Sequence, residues 1–159
     1  NISDVRLYGG FTGTETRREA RNWHTNRTVI SGNIGDESEM TDNTQSLLVS
    51  DGATQETVLD GFVMEQVYNG TAAISLANSS SRHIINHCSI TNNSVNQSPL
   101  LIHDMAMVVA ANTSLVGNSG TKAGAIINTK TALASQTIQI VNTLIIRNWG
   151  LETAGIMNR

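Results

Sequence analysis

Ile85-Asn86-His87-Cys88-Ser89-Ile90-Thr91-Asn92-Asn93 decides the fold, because the stretch returns. It comes back as Ala110-Ala111-Asn112-Thr113-Ser114-Leu115-Val116-Gly117-Asn118, and again as Ile140-Val141-Asn142-Thr143-Leu144-Ile145-Ile146-Arg147-Asn148. A looser copy precedes it as Leu59-Asp60-Gly61-Phe62-Val63-Met64-Glu65-Gln66-Val67. With Gly61, His87, Asn112 and Asn142 as anchors, successive copies lie 26, 25 and 30 residues apart. A self-similar period of this size signals stacked structural repeats.

The columns of the repeat have physical meaning. Leu59, Ile85, Ala110 and Ile140 share one column, and Met64, Ile90, Leu115 and Ile145 share another. Phe62, Cys88, Thr113 and Thr143 share a third, read as interior. Asn93, Asn118 and Asn148 recur at the end of the motif, with Val67 in the first copy. Asn side chains stacked at the strand spacing of about 4.8 Å can hydrogen-bond to one another, so these three are expected to form a structural ladder. A second β-rich element follows each anchor: Ile74-Ser75-Leu76-Ala77, Leu100-Leu101-Ile102-His103, Ala125-Ile126-Ile127-Asn128 and Gly155-Ile156-Met157-Asn158. Insertions such as Lys130 to Ser135 fall between strands.

These features predict an all-β chain folded as a right-handed, single-stranded parallel β-helix of about 25–30 residues per coil. Strands are expected near residues 4–8, 28–31, 47–50, 58–64, 72–77, 83–90, 100–103, 107–115, 123–127, 137–146 and 154–158. Residues 1–57 read as irregular N-terminal coils and 58–159 as regular repeats of one β-helix domain, or of a longer one. An antiparallel sandwich is the rival, but it does not require the same residue type in the same column of every copy. One short helix or loop is expected over Thr14 to Trp23, where Thr16 and Glu19 have capping-box spacing.

Composition narrows the field. Of 159 residues, 39% are hydrophobic but only 4% aromatic, so the interior is built from Ile, Leu, Val and Ala. The net charge of −3 lacks the basic excess of a nucleic-acid footprint. No apolar run approaches the 18 residues of a membrane-spanning helix. Cys88 is the single cysteine and sits in an interior column, which reads as a buried inert thiol. Asn1 is not an initiator Met, and the chain reads as a piece of something longer.

Tyr8-Gly9-Gly10-Phe11-Thr12-Gly13-Thr14-Glu15, followed by Arg21-Asn22-Trp23 and Thr28-Val29-Ile30-Ser31-Gly32-Asn33-Ile34-Gly35, resembles the opening of secreted bacterial β-helix proteins of the pectin-lyase-like superfamily. Leu59-Asp60-Gly61-Phe62 is similar to the Leu-Asp-Gly-Phe that starts their coils. The later copies resemble polymorphic outer membrane protein repeats, with Ala123-Gly124-Ala125-Ile126 in place of Gly-Gly-Ala-Ile and with the Phe of the Phe-x-x-Asn element lost. The resemblance implies an extracellular or cell-surface setting and either an adhesive or a carbohydrate-active role.

The column map argues against carboxylate chemistry in the repeats. From residue 57 onward the acids are Asp60, Glu65, Asp104 and Glu152, and they occupy four different columns. Glycoside hydrolysis generally needs two carboxyls about 5 to 10 Å apart. His103-Asp104 is the best catalytic-looking pair, but neighbours on a strand face opposite ways, so a dyad requires His103 to end its strand. His83 and His87 lie four apart on a predicted strand and so on one face, without a third metal ligand. Asp36, Glu37, Glu39 and Asp42 form an acidic loop of hard oxygen donors, the candidate calcium site.

The leading expectation is a non-catalytic extracellular module of a larger secreted or cell-surface protein, acting as scaffold, stalk or adhesive surface. The alternative is a polysaccharide lyase, glycoside hydrolase or carbohydrate-binding β-helix whose site lies on loops or outside this stretch. Expected partners are further coils of the parent chain or another protein chain at the C-terminal end, and possibly a polysaccharide. Neither nucleic acid nor membrane insertion is expected.

Overall fold

The computed structural model describes residues 1–104, 106–129 and 137–159. Within them the chain is a right-handed parallel β-helix of about four turns. Three strands begin the stack: β1 (Arg6–Tyr8), β2 (Thr28–Ser31) and β3 (Leu48–Asp51). The first full coil is β4 (Thr57–Asp60), β5 (Phe62–Glu65), β6 (Tyr68–Gly70) and β7 (Ile74–Ala77). The second is β8 (Arg82–Asn86), β9 (Ser89–Thr91), β10 (Ser94–Val95) and β11 (Leu100–His103). The third is β12 (Met107–Ala111), β13 (Ser114–Val116), β14 (Ser119–Gly120) and β15 (Ile126–Thr129). The fourth is β16 (Ile138–Val141), β17 (Leu144–Ile146), β18 (Trp149–Gly150) and β19 (Ile156–Asn158). The described strands form four sheets, ordered β1-β4-β8-β12-β16, β2-β5-β9-β13-β17, β3-β7-β11-β15-β19 and β6-β10-β14-β18, and every strand pair is parallel.

The registers reproduce the columns. Leu59 pairs with Ile85, Ile85 with Ala110, and Ala110 with Ile140. Met64, Ile90, Leu115 and Ile145 pair likewise. Together with Ile74, Leu100 and Ile126 these residues fill one core running along the stack. Each fully buried aliphatic side chain contributes about 1.5–3 kcal/mol. The outer face is polar or half-exposed, as the period-two alternation of a strand requires.

Three expectations need correction. The long strands expected at 58–64, 83–90, 107–115 and 137–146 are each broken in two. The break falls at the anchors Gly61, His87, Asn112 and Asn142, whose φ values are 85°, 49°, 48° and 45°. The left-handed region is reached by Gly freely and by Asn and His more easily than by other side chains, so the anchor column marks a corner rather than mid-strand. A second corner column, Gln66, Asn92, Gly117 and Arg147, is also left-handed, and it sends the chain into the short β6-β10-β14-β18 sheet, which was not expected. Over Thr14 to Trp23, where a short helix or loop was expected, the chain is a loop holding one 3-10 turn, Arg18–Ala20; the capping-box reading of Thr16 and Glu19 is what needs correction, since the turn is preceded by Arg17 without a side-chain cap. The insertion Lys130 to Ser135 lies outside the described residues.

The Asn residues following the second corner are built into the wall. Asn93 donates its backbone N–H and its Nδ2 to Asn118 Oδ1 at 3.1 and 3.0 Å. Asn118 donates the same two groups to Asn148 Oδ1 at 2.9 and 3.1 Å. Asn93 Oδ1 accepts the Val67 N–H at 3.0 Å, and Asn118 Nδ2 donates to Ile90 O at 2.8 Å. Asn93 and Asn118 are each 1% exposed, so water cannot replace these bonds. A second, exposed ladder runs along the first corner, from Asn142 to Asn112 (2.7 Å) and from Asn112 to Asn86 (3.0 Å).

Burial separates the two ladders energetically. Asn118→Ala strands buried donors and acceptors and is expected to cost about 3 kcal/mol, whereas Asn142→Ala loses only exposed bonds and is expected to cost about 1 kcal/mol, from putting Ala at a left-handed corner. Urea unfolding of the two variants checks the contrast.

Candidate functional site

The first corner carries the most elaborate side-chain cluster on the described surface. It starts from Gly61, the only glycine among the four anchors. A Cβ there would sit 2.9 Å from Arg21 Nη1 and 3.1 Å from Trp23 Cβ. The missing side chain lets the excursion between β1 and β2 lie against the corner, and Gly10 (φ 93°) turns the excursion back under Trp23.

Asp60, at the end of β4, holds the cluster. Arg21 Nη2 lies 2.8 Å from Asp60 Oδ2, with both side chains about nine-tenths buried. Arg21 Nη1 also donates to Gly9 O at 3.0 Å. His87 Nδ1 lies 3.1 Å from Asp60 Oδ1, and Asn86 Nδ2 donates to Asp60 Oδ2 at 3.2 Å. Trp23 stacks on the His87 ring, centroid to centroid 4.0 Å with 29° between planes. The Arg21 guanidinium lies 4.9 Å from the Trp23 ring centre and 5.3 Å from that of Tyr8. A charge buried this deeply needs its partner, and removing one member of such a pair typically costs about 3–5 kcal/mol.

Beside this cluster runs an open groove of about 990 Å³ along the corner. It is lined by Trp23, His24 and Arg27 of the excursion and by residues of the coils, the polar Asn112, Asn142 and Ser114 together with the apolar Phe62, Ile140 and Leu144. No Asp or Glu is among its described lining residues. Cys88 also borders it, but burial pushes its thiol pKa up to about 11. Its Sγ faces the carbonyls of Asn86 (3.2 Å) and Leu59 (3.6 Å), while Thr113 and Thr143 in the same column place hydroxyls on the carbonyls of Ala111 (2.8 Å) and Val141 (3.0 Å). The column therefore closes the inside of the corner, and Cys88 is no nucleophile at neutral pH.

The other residues singled out in the sequence lie elsewhere. Asp36, Glu37, Glu39 and Asp42 are all exposed. Asp36 Oδ1 accepts from the Ser38 N–H (2.9 Å) and hydroxyl (2.8 Å), bonds that hold its pKa below the usual carboxylate value. Asp42 Oδ2 accepts the Asp36 N–H at 2.8 Å. Among the described residues no three His, Cys, Asp or Glu side chains group closely enough to hold a metal ion. His83 and His87 do not share a face: His87 has left the strand at the corner, while His83 points inward and is 1% exposed. His83 Nε2 lies 2.8 Å from Ser50 Oγ and 3.4 Å from Ser79 Oγ.

Sequence reasoning missed the Asp60–Arg21–His87–Trp23 cluster because it joins residues 26 or more apart from the repeats to an excursion outside them. The signal available was Gly61 itself, a departure from the His or Asn of the other anchors. No family model, curated protein or solved structure matches this chain.

Burial holds the His83 pKa below its ordinary 6.5, against smaller opposing effects of the Met107 backbone and Asp4. The unfolded chain therefore takes up a proton near pH 6.5 that the folded chain refuses. Stability is expected to be full above pH 6.5 and to fall as the pH drops below it. Urea midpoints at pH 7.5 and 5.5 check this, and His83→Gln should flatten the difference between them.

Proposed function

We propose that this chain is an extracellular β-helix module of a larger secreted or cell-surface protein, a scaffold that presents a binding surface rather than a hydrolytic site in its corner groove. The observation that carries the reading is Trp23, held by His87 and Arg21 in the lining of a groove that also presents amides and hydroxyls among apolar side chains. An aromatic face with a few convergent polar groups suits a saccharide: the ring takes sugar C–H groups, and Asn112, Asn142 and Ser114 take hydroxyls. The absence of carboxylates from the described lining gives no support to glycoside hydrolysis by a carboxyl pair. The surface setting rests on the resemblance of Tyr8 to Gly35 and of the repeats to secreted β-helix proteins.

The fourth coil supports a second part of the proposal. Val141, Leu144, Ile146, Trp149, Leu151 and Ile156 are each more than two-fifths exposed. The buried ladder runs from Asn93 through Asn118 to Asn148, where each member uses an amide oxygen of the next coil. A rung of this kind is completed by another coil presenting an oxygen at the same height, whether from the parent chain or a second polypeptide. By itself the 159-residue chain is expected to self-associate with rising concentration in light scattering. A monomer whose fourth coil is as protected from hydrogen exchange as the second would remove this part of the reading.

Saccharide binding is tested by isothermal titration calorimetry with neutral and uronic-acid oligosaccharides. Trp23→Ala is expected to weaken binding by about tenfold or more, as loss of a central aromatic anchor does, while Trp149→Phe leaves affinity unchanged. No response to any oligosaccharide, or full affinity in Trp23→Ala, ends the glycan reading.

A further inference from the structure

A different face of the coil, formed by β3, β7, β11 and β15, carries three polar residues that the repeat does not need. The column pointing away from the main core reads Val49, Ser75, Leu101, Ile127, Met157; Leu101 and Ile127 are buried in a second apolar cluster with Ala72 and Ala123, so Ser75 stands where its neighbours are apolar. In the column two residues on, His103 stands beside Thr129. His103 is the last residue of β11, and Asp104 follows it at a left-handed corner (φ 48°), as Asn78 (φ 48°) follows β7. The condition for a His-Asp pair is therefore met: the corner swings the carboxylate back to the ring.

Ser75 Oγ lies 3.1 Å from His103 Nε2, and His103 Nδ1 lies 2.6 Å from Asp104 Oδ2. The carboxylate only accepts, so Nδ1 carries the proton of the neutral ring. That fixes Nε2 as the acceptor and leaves the Ser75 hydroxyl as the donor toward it. This is the order of contacts that activates a serine: nucleophile on base, base on an orienting carboxylate, each within hydrogen-bond reach. The group is also accessible. It borders a groove of about 600 Å³, which Gln45, Gln97 and Thr71 line as well. The His103 and Asp104 side chains are 28% and 43% exposed.

We infer that Ser75, His103 and Asp104 form a serine nucleophile relay that cleaves small acyl esters, an activity separate from binding at the Trp23 groove. In the first half-reaction Ser75 Oγ attacks the ester carbonyl carbon and passes its proton to His103 Nε2. The bond from that carbon to the alcohol oxygen breaks, and His103 returns the proton to the departing alkoxide. In the second, water attacks the acyl-Ser75 carbonyl with His103 again taking and returning the proton, and carboxylate and free Ser75 result. The amide N–H groups of Gln45 and Gln97, on the same groove, are the donors at hand for the oxyanion, since parallel pairing uses the backbone N–H groups of these strands. The groove is open, with Val49, Ala72 and Leu101 beside its polar groups, which suits a short acyl group such as acetate on a hydroxylated alcohol.

Labelling of the intact chain with a fluorophosphonate, followed by peptide mass spectrometry, tests the nucleophile without any variant. The expected adduct is on Ser75, with labelling lost in His103→Asn. Hydrolysis of p-nitrophenyl acetate is expected to fall about 100-fold or more in Ser75→Ala. Asp104→Asn, which alters a positioning residue, should lower kcat with little change in KM. Melting temperatures close to that of the parent chain confirm that these surface variants fold. No adduct at Ser75, an adduct that survives His103→Asn, or an unchanged hydrolysis rate in Ser75→Ala overturns the inference.

Discussion

Everything in this molecule depends on the left-handed corner. A coil must turn several times within some 25 residues while its strands stay in register with the coil below. A residue at φ near +50° bends the chain from one sheet into the next in one step, and in a stack the bend must recur in the same column of every coil. The first corner meets this with Gly61, His87, Asn112 and Asn142, and the second with Gln66, Asn92, Gly117 and Arg147. Corners also strand backbone groups that the strands would otherwise pair. The Asn ladder collects them, since one side-chain oxygen accepts both the N–H and the Nδ2 of the Asn in the neighbouring coil. Burial makes these bonds obligatory, so a coil that slipped by one residue would lose its core column and its ladder together.

That coupling explains which parts of the fold were legible in the sequence. Interior columns such as Leu59–Ile85–Ala110–Ile140 repeat because each layer meets the same space, and periodicity alone exposes them. The corners were legible as residues but not as geometry. Asn and Gly stood in the anchor column, yet the apolar residues on both sides suggested one continuous strand. The β6-β10-β14-β18 sheet has strands of two or three residues, too short for any alternation to register. In the excursion, Thr16 and Glu19 suggested a capped helix, but docking of Arg21 and Trp23 on the Gly61 corner holds the segment in another shape.

The two candidate sites were hidden for a common reason. Each joins a residue on one coil to residues on another or on the excursion, at separations that a column map treats as unrelated. Asp60 seemed isolated among acids, and so it is; its partners are Arg21, His87 and Asn86. Asp104 seemed turned away from His103, because strand alternation was extended one residue past the strand's end.

A solenoid therefore offers its own way of separating function from structure. Stacking keeps some inward columns uniformly apolar, as Met64, Ile90 and Leu115 show, while in the buried column of Thr57, His83 and Val108 the polar members are hydrogen-bonded, Thr57 to the Asp4 N–H and His83 to Ser50. Columns that point away from the main core are under a looser demand, though Leu101 and Ile127 in one of them are buried against Ala72 and Ala123. Gly61 breaks the anchor column, and the excursion docks there. Ser75 breaks the column of Val49, Leu101, Ile127 and Met157, and its hydroxyl meets the His103 ring. His103 stands in a mostly polar column with Asp51, Ala77 and Thr129. The contact of Ser75 with His103, backed by the corner carboxylate of Asp104, adds nothing to the main core, and its order of donor and acceptors is the ground for the proposed relay.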